Sequence, residues 1–214
     1  MRNQQMRKTQ LPFLALCAVL LGGPVASEVK IFGNAVALAK VPGIELSRKQ
    51  QRHFNEFKAK KSYFGAFYAA PGTDYSFWTR NFHSLNSAKM GAKKGCELGA
   101  KVAKCSLVAV LFPKGMDPNG NGLAGLGQRA GKEFASTYVK KQKKGKFGAF
   151  AIDGASDHGF SYGWVSAAEA NAAAIEFCNV GSAQALARLG IEGRKWARSN
   201  GLDKCRVIDT HSPD

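Results

Sequence analysis

Two stretches of the chain, Ser84–Cys96 (SLNSAKMGAKKGC) and Ser166–Cys178 (SAAEANAAAIEFC), align without a gap. The serines, the cysteines and two alanine pairs (Ala88 with Ala170, Ala92 with Ala174) coincide at an offset of 82. The same order of features recurs around them. FGAF stands at 64–67 and again at 147–150, and Lys104-Cys105 and Lys204-Cys205 each precede an apolar run. Any fold proposed for the first stretch must therefore also suit the second. The offset at FGAF is 83, a one-residue difference that a turn tolerates.

Each unit reads as strand, strand, helix, strand. Phe64–Ala70 is aromatic and small and stops at the turn sequence PGTD. Alternation then predicts a second strand, with Trp78, Arg80 and Phe82 on one face, and Phe160, Tyr162 and Trp164 likewise in the second unit. Ser166 and Glu169 have the spacing of a capping box, which satisfies free N–H groups at a helix start. The first unit keeps Ser84 but has Ser87 for the glutamate, so its start is weaker. Alanine-rich runs favour the helix because alanine loses no side-chain entropy. Short links favour antiparallel neighbours. The fold class is α+β: mainly antiparallel sheet with packed helices, in two related units, 64–112 and 147–214.

The rest differs between the units. Residues 28–63 are an N-terminal extension, irregular and then helical from Ser47 to Lys60, docked lightly through Phe54 and Phe57. Residues 113–146 are a basic linker with a helix around Ala130–Tyr138. Residues 180–203 are an insertion, helical over Ala183–Leu189 and Glu192–Arg198 and broken at Gly190.

The first 27 residues have the pattern of an export signal: Arg2, Arg7 and Lys8, an apolar run Leu11–Gly22, and small residues at Val25-Ala26-Ser27. The apolar run falls short of the ~20 residues that spanning a bilayer needs. Cleavage would remove Cys17 and start the chain near Glu28, with a periplasmic or extracellular destination. Four cysteines then remain, and an even count in an exported chain reads as disulfides. Each unit has one cysteine at its helix end and one at its last strand. The pairs expected, of the three connectivities four cysteines allow, are Cys96–Cys105 and Cys178–Cys205. No metal-binding cysteine or histidine spacing and no cofactor motif is present; His53, His83 and His211 are scattered.

Beyond residue 27 the chain carries 28 Lys and Arg against 15 Asp and Glu. Lysine outnumbers arginine 20 to 8, which suits diffuse attraction to anionic surfaces more than bidentate recognition. Basic residues concentrate at 48–61 and at 129–146, where Lys140, Lys141, Lys143, Lys144 and Lys146 form a run.

The order FGAF, aromatic strand, SAAEANAAAIEFC and KCRVI resembles a family of small exported bacterial domains of unknown function. Those domains open on an aromatic-Gly-Ala-aromatic strand. They carry a Ser-x-x-Glu-Ala helix ending in cysteine and close on a Cys-x-Val-Val strand. The resemblance covers 147–178 and 204–209, and more loosely 64–112. It implies a compact sandwich of sheet and helix and brings no catalytic residues with it.

Three constellations could carry chemistry. Asp117, Asn119 and Asn121 with Gly122 match the start of a calcium loop, but Gln128 stands where a bidentate glutamate is wanted, and the same residues make an ordinary turn. Asp157-His158 could supply a base, or could be a solvated turn. Trp78 and Arg80, with Phe82 and the second unit's aromatics, could stack on bases or sugars, or could be the core face of half-buried strands. The reading these features favour is an exported, non-enzymatic protein. Its lysine-rich surface would bind anionic envelope lipid or glycan, or a protein partner. Non-specific nucleic-acid binding would follow from the same charge. Two alternatives stay open: an envelope-polymer hydrolase using Asp157-His158, and a secreted inhibitor or effector of another protein.

Overall fold

The computed structural model describes residues 29–101, 104–119 and 124–213. The leader with Cys17 lies outside the described residues, as does Asn121. The elements in chain order are β1 (Val36–Lys40), α1 (Arg48–Ala59), β2 (Gly65–Ala69), β3 (Ser76–Thr79), α2 (Leu85–Ala100), β4 (Ser106–Pro113), α3 (Gln128–Glu133), a π-helical segment (Phe134–Tyr138) and α4 (Val139–Lys141). They continue with β5 (Phe147–Ile152), β6 (His158–Trp164), α5 (Ala167–Ala187), α6 (Ile191–Ser199) and β7 (Arg206–His211). The fold is α+β, as expected.

Two antiparallel sheets form, ordered β1-β4-β2-β3 and β6-β5-β7. In both, the strand that begins at FGAF lies between its hairpin partner and the strand that follows the helix. The register against that last strand slips at Phe67/Tyr68 in one sheet and at Phe150/Ala151 in the other, just past the final residue of each FGAF. Small details recur too. The Thr79 hydroxyl donates to the Ala88 carbonyl (2.8 Å), and the Ser161 hydroxyl to the Ala170 carbonyl (2.7 Å). Each bond ties the second strand to the first turns of its helix. Both disulfides are formed in the expected pairing, Cys96–Cys105 and Cys178–Cys205.

Helices cover both faces of each sheet, which the strand-strand-helix-strand reading did not include. On one side lie α2, with Ala88 and Ala92 against Ala66, and α5, with Ala170 and Ala174 against Ala149. On the other side a preceding helix sets an aromatic pair on the last ring of FGAF. Phe54 and Phe57 lie 5.4 and 5.6 Å from Phe67, and Phe134 and Tyr138 lie 5.1 and 5.5 Å from Phe150. Helix α1 therefore does not dock lightly. Phe54 and Phe57 are fully buried, and Gln50 donates from its buried amide to the carbonyls of Ala70, Thr73 and Tyr75. Burying two phenylalanines contributes about 3–6 kcal/mol. Residues 113–146 are likewise more than a linker, because their helix closes the second core.

Other expectations need correction. The extension is not irregular before α1: Val36–Lys40 pairs with β4 and extends the first sheet. The reciprocal capping box is at Ser47 and Gln50. At Ser166 the hydroxyl accepts from the Glu169 N–H but donates to the Glu169 carboxylate, so the carboxylate does not cap the Ser166 backbone. The helix expected at Ala183–Leu189 is the C-terminal part of α5, which runs unbroken to Ala187; Gly190 then caps α6.

The strands' aromatic rows also depart from simple alternation. Trp78 packs beneath α1, but Asn81 is left-handed (φ 60°) and turns Phe82 to the α2 side. Gly163 is left-handed at the equivalent place (φ 82°). Packing between strand and helix is exchanged between the units. In the first, Phe77 projects onto Gly95 of α2, where a Cβ would lie 2.5 Å from the ring. In the second, the strand carries Gly159, where a Cβ would lie 2.5 Å from the Ala174 carbonyl oxygen, and Phe177 replaces the helix glycine and turns outward.

Candidate functional site

The two units have separate apolar cores and meet at a polar junction built on His83. The Gly127 N–H donates to His83 Nδ1 (3.1 Å), which leaves the proton on Nε2, and Nε2 donates to the Asp157 carbonyl (3.0 Å). The His83 backbone N–H donates to the Ala155 carbonyl (2.8 Å). One buried ring thus holds the chain before α3 and the β5–β6 turn. Burial lowers its pKa to about 4, so it is neutral at pH 7.

The β5–β6 turn is shaped by Asp153, whose carboxylate accepts from the N–H groups of Ala155 (2.8 Å) and Asp157 (3.0 Å). Burial raises this carboxyl to about 6, against the pull of those two hydrogen bonds. Asp153 and Ser182 also line a cleft of about 910 Å³ between α2 of the first unit and α5 and α6 of the second. Gly91, Gly95 and Gly99 leave one side of α2 without side chains, and rings from the β3 hairpin lie against it. Phe77, Phe82 and Leu98 form one wall; Leu186, Leu189 and Trp196 form the other. Lys94 and Arg188 add two cations to a mostly apolar lining, and Asp153 and Glu192 two acids. Leu98, Leu189 and Ile191 remain exposed there, as apolar side chains do around a ligand-binding surface. The wall from α6 belongs to 180–203, which has no counterpart in the first unit.

A second depression, of about 570 Å³, follows β6, an edge strand of its sheet. Glu133, His158, Phe160, Tyr162, Trp164 and Phe177 line it. His158 Nε2 lies 3.2 Å from the Glu133 carboxylate, with the imidazole side chain only 6% exposed and its Nδ1 buried without a partner. Burial lowers the His158 pKa, with Glu133 pulling the other way.

The structure does not unite Asp157 and His158. Asp157, at the end of the turn, accepts from Arg129 (3.1 Å), and His158, the first residue of β6, turns to Glu133. Glu133 was missed because its partner is brought to it by the sheet. Trp78 also lines the apolar cleft, and Arg80 is exposed with its guanidinium 6.0 Å over the Trp78 ring. The aromatic rows divide: Trp78 and Phe160 contribute to cores, while Tyr162 and Trp164 are 37% and 38% exposed. Lys140, Lys141, Lys143 and Lys144 are exposed and Lys146 is half-buried. Lys141 lies 5.1 Å over the Tyr162 ring. Asp117 spends its carboxylate on the Asn119 N–H (2.9 Å), an ordinary Asx turn. Among the described residues no group of three or more acidic, histidine or cysteine residues could hold a metal ion, and no helix is long and apolar enough to cross a membrane.

No protein-family model, no curated protein and no solved structure matches this chain.

Proposed function

We propose that the protein is an exported binding protein that holds an amphipathic anion, an acyl chain with a carboxylate or phosphate head, in the cleft between its two units. The apolar cleft of about 910 Å³ flanked by Lys94 and Arg188 carries this reading. Its size is that of a small-molecule site, and its lining combines apolar area with a few polar groups. The surplus of lysine on the surface then serves encounter with anionic envelope material, by long-range attraction. The cleft supplies what a lysine-rich surface lacks, a place for an apolar chain. Disulfides and the lack of a membrane-crossing helix among the described residues accord with export. The separation of Asp157 from His158 favours binding over hydrolysis.

Calorimetric titration of laurate and of lysophosphatidylglycerol, below their aggregation concentrations, tests this. Saturable binding to both is expected, retained at high salt because burial of the chain contributes most of the affinity. Ala185→Trp, which fills the cleft from an exposed position, should abolish it, and Lys94→Glu with Arg188→Glu should weaken it about tenfold. Binding that vanishes at high salt, or that survives Ala185→Trp, would return the function to the lysine surface.

A further inference from the structure

The depression along β6 is unrelated to the cleft and has its own chemistry. We infer that it is a glycan-binding subsite, suited to neutral β-linked pyranose rings with equatorial substituents. Such a ring presents C–H bonds on both flat faces and hydroxyls around its rim. The C–H groups carry slight positive charge and pack against the negative face of an aromatic ring. Tyr162, Trp164 and Phe177 offer rings that are 37%, 38% and 59% exposed, in one depression of about 570 Å³. Phe177 is there because Gly159 lets α5 lie against β6 and sends that side chain outward.

The polar end suits hydroxyls. The imidazole of His158 is almost entirely buried and stacks on Phe150 (5.5 Å), so it holds the Glu133 carboxylate, 3.2 Å away, in one place. A fixed carboxylate can accept from two neighbouring sugar hydroxyls. A buried histidine with an unpartnered Nδ1 is costly, and here it positions an acidic group at the rim of an aromatic depression. Charge excludes other occupants. A cationic ligand would compete with the Lys141 ammonium, which already lies over Tyr162 and donates to its hydroxyl (3.3 Å). A phosphodiester chain would meet the Glu133 carboxylate. A neutral, hydroxyl-rich, C–H-faced ligand avoids both conflicts when it stacks on Trp164 and Phe177 and leaves Lys141 over Tyr162.

The test is titration of the full disulfide-bonded chain with chitotetraose, followed by calorimetry and by tryptophan emission. Binding on the order of 1 mM or tighter is expected. Trp164→Ala should weaken it about three- to tenfold, the range of one aromatic contact, and Glu133→Gln about tenfold. Phe177→Ala, at a well-exposed position, should weaken it without loss of folding. Laurate binding in the cleft should be unchanged in all three, so this site and the cleft fail or stand separately. Absence of chitotetraose binding would overturn the inference. So would binding indifferent to Trp164→Ala and Phe177→Ala, or tetramethylammonium binding that depends on Trp164.

Discussion

His83 Nε2 donates to the carbonyl oxygen of Asp157, 3.0 Å away and 74 residues further along the chain. The bond joins the end of the β3 hairpin to the turn of the other hairpin and sets the two halves of the cleft against each other. Protonation of the ring would keep this donor but remove the Nδ1 acceptor that the Gly127 N–H uses.

His83 should make the protein acid-sensitive. Its folded pKa of about 4 lies below the ordinary value of 6.5. The unfolded chain therefore takes up a proton first as pH falls, and stability is lost between about 6.5 and 4. His83→Gln should abolish its share of that slope, on the order of 3 kcal/mol across the window. Chemical denaturation at several pH values measures it. A slope unchanged in the variant would mean that the ring is not neutral in the fold.

Asp153 works in the opposite sense. Its folded pKa of about 6 lies above 3.8, so its neutral form is favoured in the fold and stability falls as pH rises from about 4 to 6. Asp153→Asn keeps an acceptor for the Ala155 and Asp157 N–H groups and removes the charge. It should stabilise the protein at pH 7 by about 2–3 kcal/mol and do little at pH 4. Destabilisation by this variant at pH 7 would show that the carboxylate itself is needed.

Gly159 is required by the closeness of α5. An alanine Cβ would meet the Ala174 carbonyl oxygen at 2.5 Å, a backbone contact that cannot move aside. Gly159→Ala should cost about 3 kcal/mol. Gly33→Ala, with nothing within 4 Å of the added carbon, should be close to neutral. Thermal melts of the two variants compare them directly.

The Cys178–Cys205 disulfide closes 27 residues of chain, including α6 and with it one wall of the cleft. Replacing both cysteines by alanine should cost about 3–4 kcal/mol in the loop-closure account, and the Cys96–Cys105 pair, nine residues apart, somewhat less. Urea unfolding of both double variants checks the order. The first should also weaken laurate binding.

The sequence made local order legible and left contacts across long spans hidden. Serines before α2 and α5, the cysteines on them and the turn residues after FGAF all signal through near neighbours, and the structure forms those elements in the expected order, although Cys178 lies midway along α5 where a helix end was expected. Val36–Lys40 was unreadable because half-exposed alanine, leucine and valine show no clean alternation; its pairing with β4 makes it a strand. His83 carries no motif, since its partners are backbone groups 44 and 74 residues away. Gly91, Gly95 and Gly99 take their meaning from the β3-hairpin rings that lie against them, which their spacing alone does not reveal. The cleft was hidden because one wall comes from 180–203, where the second unit departs from the first.

The proposed seat of an acyl chain between the two units is open to direct measurement. Quenching of tryptophan emission by a doxyl-labelled stearate reads this directly, because Trp196 lines the cleft while Trp164 lies in the depression along β6 and the Trp78 ring packs beneath α1. Strong, saturable quenching is expected, persisting in Trp164→Phe and falling sharply in Trp196→Phe. Quenching confined to Trp164, or none at saturating stearate, would contradict it.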